Sequence, residues 1–106
     1  MSGNLKLIFY VPVDSAERVK EALFAIGVGA LGNYSHCSFE TLGIGQFKPN
    51  ERANPTIGSA HKIEKVQELK VEMICQVSLI NKAVEVLKST HPYEEVAYEV
   101  YRLENY

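Results

Sequence analysis

Residues 6–27 read KLIFYVPVDSAERVKEALFAIG, and the hydrophobic period changes from strand-like to helix-like within this stretch. Residues 6–13 alternate between two faces, which predicts a strand. Apolar residues then recur at helical spacing over 15–26, and Gly27 is a natural helix end because glycine tolerates the left-handed conformation. The stretch therefore predicts a strand followed at once by a helix, with an inward strand face made of Leu7, Phe9, Val11 and Val13.

The rest of the chain adds two strands, a second helix and a last strand. This helix is predicted to end near Thr90, because Pro92 cannot continue it. Residues 43–63 contain glycines and prolines without a sustained period, and they predict a long, mobile loop of a kind that is often functional. Alternation predicts the remaining strands over 33–42, 64–76 and 94–103.

The element order βαββαβ predicts an α+β fold of the ferredoxin-like kind, a four-stranded antiparallel sheet with both helices on one face. A chain of 106 residues is long enough for one hydrophobic core, so residues 1–106 are predicted to form a single domain. The uncovered sheet face suits a subunit interface. It is predicted to carry Tyr10, Tyr34, His36, Glu40, Glu72, Glu99 and Tyr101.

Composition excludes several classes of function. The chain has 11 basic and 13 acidic side chains and a net charge of −2, so it lacks the overall positive field of a nucleic-acid-binding protein. Its start lacks the pattern of a secretory signal and no apolar run has the length of a membrane span, which predicts a cytoplasmic protein without a membrane contact. Cys37 and Cys75 form no zinc-binding spacing and are predicted to be reduced.

Histidines and carboxylates provide weak candidates for a metal site. His36, Glu40 and Glu72 are predicted to share the outer sheet face, where a polar interface patch is the alternative to a metal site. No catalytic residue and no cofactor is predicted from these patterns, and a divalent metal is the open alternative. No ordered set of nucleophile, histidine and acid is recognisable.

Two other segments carry chemically useful side chains. Residues 90–95 read THPYEE, which suits either acid-base chemistry or a structural helix end. The long loop gathers basic residues, so an anion such as a phosphate-bearing metabolite is a candidate ligand, and a solvated loop is the alternative. The basic candidates in this loop are Lys48, Arg52, His61 and Lys62.

Four motifs resemble the inserted domain of the Nif-three-like (YqfO-like) family, whose members are also called GTP cyclohydrolase I type 2 homologues. The motifs are GNYSHCSF (32–39), GIGQFKP (43–49), ANPTIG (53–58) and HPYEEVAY (91–98). The resemblance extends over nearly the whole chain. HPYE also resembles the CutA family, and both resemblances imply a trimeric, PII/CutA-like module that corresponds to a stand-alone version of the inserted domain.

The resemblance implies no metal ligands here, because the family builds its dinuclear metal centre from domains flanking the insert. It implies instead a non-enzymatic regulatory homotrimer that binds a small molecule or partner protein between subunits. A metal-binding protein or metal-dependent hydrolase using His36 and His91 is the alternative, and a structural adaptor is a third reading. The ligand-binding candidates are Tyr34, His36, His91, Tyr93 and Glu95.

Overall fold

Four strands and two helices follow one another in the predicted order βαββαβ in the computed structural model, which describes residues 3–106. A single 3-10 turn precedes each helix, at 13–15 and at 77–79. The helices are α1 (Ala16–Ala25) and α2 (Ile80–Thr90). The strands are β1 (Asn4–Pro12), β2 (Phe39–Phe47), β3 (Glu64–Gln76) and β4 (Tyr98–Arg102).

The strands form one antiparallel sheet in the order β2-β3-β1-β4. The core lies between this sheet and the two helices, because β1 and β3 turn alternate apolar side chains toward apolar faces of α1 and α2. The ferredoxin-like fold is therefore confirmed. Its fully buried side chains include Leu7, Phe9, Val11, Val19, Leu23, Val71, Met73, Ala83 and Leu87.

Three element boundaries agree closely with the sequence. The third strand spans the predicted residues 64–76, and α2 ends at Thr90 as predicted. Helix α1 is one residue shorter at each end than the predicted 15–26, and Gly27 follows it with a φ of 99°. Val13 was assigned to the core face and this was wrong, because it lies in the 3-10 turn and is exposed.

The second strand lies later in the chain than its predicted range of 33–42. Residues 27–38 instead form turns, in which Gly29 N donates to Ile74 O and Cys37 N donates to Gly29 O. Strand β2 continues through Gly43 and Gly45, so the loop begins at residue 48 and not at 43. Glycine is tolerated here because β2 is an edge strand with one neighbour.

The last strand is shorter than predicted. It was expected over 94–103 but spans Tyr98–Arg102, and the segment 92–94 before it accepts hydrogen bonds from the long loop at the Pro92 carbonyl and the Glu94 carboxylate. The loop is correspondingly attached to the domain, which differs from the mobile loop that the sequence predicted. Within residues 3–106 no helix is long and apolar enough to cross a membrane.

The uncovered sheet face differs in three residues from the prediction. Tyr34 and His36 lie in the turns before β2, and His36 packs against Phe24 of α1 with 4.7 Å between ring centroids. Glu40 lies on the helix side, where Lys20 Nζ is 2.8 Å from its carboxylate. The predicted residues that do share the uncovered face, by register, are Tyr10, Glu72, Glu99 and Tyr101.

Candidate functional site

A cavity of about 510 Å³ opens at one end of the uncovered sheet face. The end of β2 and the loop over 48–57 form one side, and the segment 93–97 forms the other. Tyr10 of β1 and Glu68 of β3 extend from the sheet into its wall. The volume is within the range of roughly 300–1,000 Å³ that is usual for small-molecule sites.

Glu68 is the charged group that the sheet places in this cavity. Its carboxylate lies across Gly45, where an added Cβ would overlap with the Glu68 Oε1 atom. Gly43, two residues earlier on the same strand, has nothing within 4 Å of an added Cβ. Burial raises the pKa of Glu68 above its usual value. Glycine at 45 therefore provides the space in which a half-buried carboxyl group can lie.

Tyr93 contributes an aromatic ring and a hydroxyl group. Its ring contacts Phe47 edge to face, with 5.8 Å between centroids, and its buried hydroxyl makes no hydrogen bond within the described residues. Burial raises the pKa of Tyr93 to about 12, and the neighbouring Glu68 carboxylate adds to this rise. The phenol is therefore a neutral donor at physiological pH, beside a carboxylate.

His91 supports the site from behind. It is buried, with 6% of its surface exposed, and its Nε2 lies 2.7 Å from the carbonyl oxygen of Tyr10. Its Nδ1 accepts a hydrogen bond from Tyr93 N at 3.1 Å, so the proton belongs on Nε2. Burial lowers the pKa of His91. Because the backbone engages both ring nitrogens, this residue positions Tyr93 and has no nitrogen left for a ligand.

The long loop is held over the cavity by the segment after α2. Asn54 N donates to the Glu94 carboxylate at 3.0 and 3.1 Å, and Thr56 Oγ1 donates to Pro92 O at 2.7 Å. These bonds join two segments 36 and 40 residues apart in sequence. They keep the loop close to residues 93–95, so the cavity depends on this attachment.

The predicted ligand-binding residues divide into two groups. Tyr93 and Glu95 line the cavity, and His91 lies directly behind it. Tyr34 and His36 lie elsewhere, in the turns before β2. The structure therefore brings together the part of the prediction that came from residues 91–95.

The predicted anion-binding residues do not converge. Lys48 lines the cavity, whereas Arg52 and Lys62 are exposed on the outer loop. The His61 ring is 3.2 Å from the Glu51 carboxylate, so its nearest charged partner is acidic. Lys48 is therefore the member of this set that stands at a candidate site.

The weak metal candidates are also separated. His36 is in a turn, Glu40 is on the helix side and Glu72 is on the opposite side of the sheet, 3.9 Å from Lys6 Nζ. Within residues 3–106 no three His, Cys, Asp or Glu side chains are grouped as metal ligands would be. The idea that these three residues share one ion was therefore wrong.

Sequence reasoning missed Glu68, Tyr10 and Phe47 as cavity residues. Strand alternation assigns Glu68 to one face of the sheet, but the reach of its side chain to Gly45, diagonal to its register partner Gly43, is not visible in the sequence. Gly43 and Gly45 of β2 were predicted to begin the long, mobile loop. The sequence signal that could have indicated the site is a glycine on one strand with an acidic residue near it on the neighbouring strand.

The fold is that of a CutA-like domain. CutA1 from Pyrococcus horikoshii superposes with a TM-score of 0.71 over 96% of this chain and 85% of that protein, at 17% identity. At this identity the comparison shows the fold alone. No family model matches the sequence.

Sequence similarity connects the chain to particular proteins. A GTP cyclohydrolase 1 type 2 homolog of Halalkalibacterium halodurans is 46% identical over 100 residues, which are 94% of this chain and 27% of that protein. A Bacillus cereus protein related to NIF3 superposes with a TM-score of 0.84 at 40% identity, over 99% of this chain and 27% of that one. The chain is thus homologous to one segment of the Nif-three-like proteins and spans about a quarter of their length.

Proposed function

We propose that this chain is a non-enzymatic, regulatory ligand-binding module of the PII/CutA kind, and that the cavity beside Glu68 and Tyr93 is its ligand site. One observation carries the proposal. Residues from 44–49, 53–57 and 93–97, which are far apart in sequence, come together around one cavity of ligand size. The groups around it suit holding a molecule in place: aromatic rings, three carboxylates and the neutral Tyr93 phenol.

Filling the cavity tests this proposal. Ala53 lines it, whereas Ala60 is an exposed residue of the same loop that does not. Compounds from a metabolite library that raise the melting temperature of the unchanged protein are expected to do the same for Ala60→Trp and to lose their effect on Ala53→Trp. Equal stabilisation of both variants would place the binding site elsewhere.

An apolar edge strand supports assembly of several copies. Strand β2 lies at the sheet edge, and its Phe39, Leu42 and Ile44 side chains are 68%, 62% and 72% exposed. An open edge that carries large apolar side chains is a surface that soluble proteins normally cover. We expect a cytoplasmic homotrimer that buries this strand. Light scattering at micromolar concentration tests this, and a monodisperse monomer would contradict it.

The name of the relatives favours a second candidate. GTP cyclohydrolase 1 type 2 homologs are much longer than this chain, so a role in a metal-dependent hydrolase would need donors from outside the aligned segment. Stoichiometric metal in protein purified without an affinity tag, together with a higher melting temperature on adding zinc, would support this candidate. Substoichiometric metal and an unchanged melting temperature would remove it.

A further inference from the structure

Glu68 has an unusual position for a charged side chain. It is half buried on the uncovered sheet face, and among residues 3–106 no Lys, Arg or His lies within ion-pair distance of it. Removing a carboxylate from water is costly when no cation pairs with it, even with the Tyr93 hydroxyl beside it. An incoming molecule with donor groups would supply the missing partners.

The charges around the cavity favour a ligand that donates hydrogen bonds over an anionic ligand. Three acidic residues, Glu68, Glu94 and Glu95, line it against one basic residue, Lys48. Glu94 is already bound to the loop backbone through Asn54 N. Glu95 is exposed to solvent, so Glu68 is the half-buried carboxylate with free acceptor positions, and its surroundings repel an anionic ligand.

The walls favour a flat ligand. The rings of Phe47 and Tyr93 meet edge to face, and Tyr10 adds a third ring from β1. Pro49 and Pro55 add apolar surface on the loop side. Aromatic faces attract planar rings and cationic groups, and a carboxylate offers two parallel acceptors to a pair of neighbouring N–H donors.

We infer that this cavity binds a planar ring that presents two adjacent N–H donors, as an amidine or an amino-substituted nitrogen heterocycle does. Glu68 accepts both hydrogen bonds, and the ring lies against the aromatic side chains that line the cavity. The inference rests on the proposed function, because it assigns the ligand class of that same site. It places phosphates and carboxylates outside the class.

Three small probes of equal ring size test the assignment. Benzamidine has the paired donors, benzoate carries the opposite charge and benzyl alcohol is neutral. Each probe is titrated into the full chain at neutral pH and followed by ¹H–¹⁵N NMR. Benzamidine is expected to shift the amides of residues 44–49 and 93–97 and to bind at least about tenfold more tightly than benzoate, as charge-assisted hydrogen bonds require.

Two pairs of matched variants locate the donor contact. Glu68→Gln is expected to weaken benzamidine binding about tenfold, whereas Glu72→Gln, on the same strand and face but outside the cavity, leaves it unchanged. Gly45→Ala displaces the Glu68 carboxylate and is expected to weaken binding as well, whereas Gly43→Ala does not, because open space surrounds position 43.

The outcomes separate this inference from the proposed function. Binding of benzoate or benzyl alcohol at these amides in preference to benzamidine would overturn the ligand class and leave the cavity as a site. Benzamidine binding that is equal in Glu68→Gln and Glu72→Gln would overturn the role of Glu68. Absence of shifts at these amides with all three probes would count against the inference and the proposed site together.

Discussion

Replacing His91 by asparagine should destabilise the domain strongly. The imidazole joins the carbonyl of Tyr10 in β1 to the amide of Tyr93 after α2, at 2.7 and 3.1 Å. An asparagine side chain is too short to reach the Tyr10 carbonyl, whereas its Oδ1 atom can still accept from Tyr93 N, so one part-buried carbonyl loses its donor. The lost pairing costs about 1–3 kcal/mol, so we expect a decrease of about 2 kcal/mol in the free energy of unfolding.

Urea unfolding at neutral pH measures this change, with His61→Asn as the matched control. His61 is exposed, and its contact with Glu51 is a surface pair, so its replacement should change the free energy of unfolding by no more than about 0.5 kcal/mol. A loss at position 91 as small as that at position 61 would refute the supporting role of His91. It would also leave the imidazole available for a ligand, as the sequence suggested.

The same residue predicts a pH dependence. Burial lowers the pKa of His91 below 6.5, so the folded state binds its proton less readily than the unfolded state does. Stability should therefore be complete above about pH 6.5 and should fall below it, with a slope of at most about 1.4 kcal/mol per pH unit. The part of this slope that is due to His91 should be absent in His91→Asn. A slope that the substitution leaves unchanged would assign it to other groups.

Three further outcomes follow from the placement of β2 and Glu68. Gly43→Ala should raise the free energy of unfolding by about 0.5–1 kcal/mol in urea, as expected for alanine in a strand, whereas Gly45→Ala should not, because its Cβ overlaps with the Glu68 carboxylate. Leu42→Lys should shift the assembly to lighter species in light scattering, and Val13→Lys, at another exposed apolar residue, should not. Because burial raises the pKa of Glu68, the wild-type protein should lose stability relative to Glu68→Gln as the pH rises above about 4.5 in urea titrations.

The sequence was most informative where one period continued over many residues. Strand β3 has 13 residues, in which Leu69, Val71, Met73 and Cys75 alternate along one face, and its bounds were predicted correctly. Strand β2 was displaced in the prediction because its central glycines resemble a loop, although their small size is what admits Glu68. Short-range patterns do not reveal which residues on a neighbouring strand need that space.

The candidate site was predictable only in part, for a related reason. The segment 91–95 was recognised from its own residues, and Tyr93 and Glu95 do line the cavity. The supporting role of His91 depends on a carbonyl group 81 residues earlier in the chain. Such a contact is set by the packing of β1 against the turn after α2, which no local pattern encodes.

A crystal structure of the full chain purified without added ligands tests the central claim most directly. We expect electron density for a flat molecule in the cavity, within hydrogen-bond distance of the Glu68 carboxylate and against the rings of Tyr10, Phe47 and Tyr93. Density for a bound molecule at another place on the domain, with only ordered water beside Glu68, would contradict the proposed site.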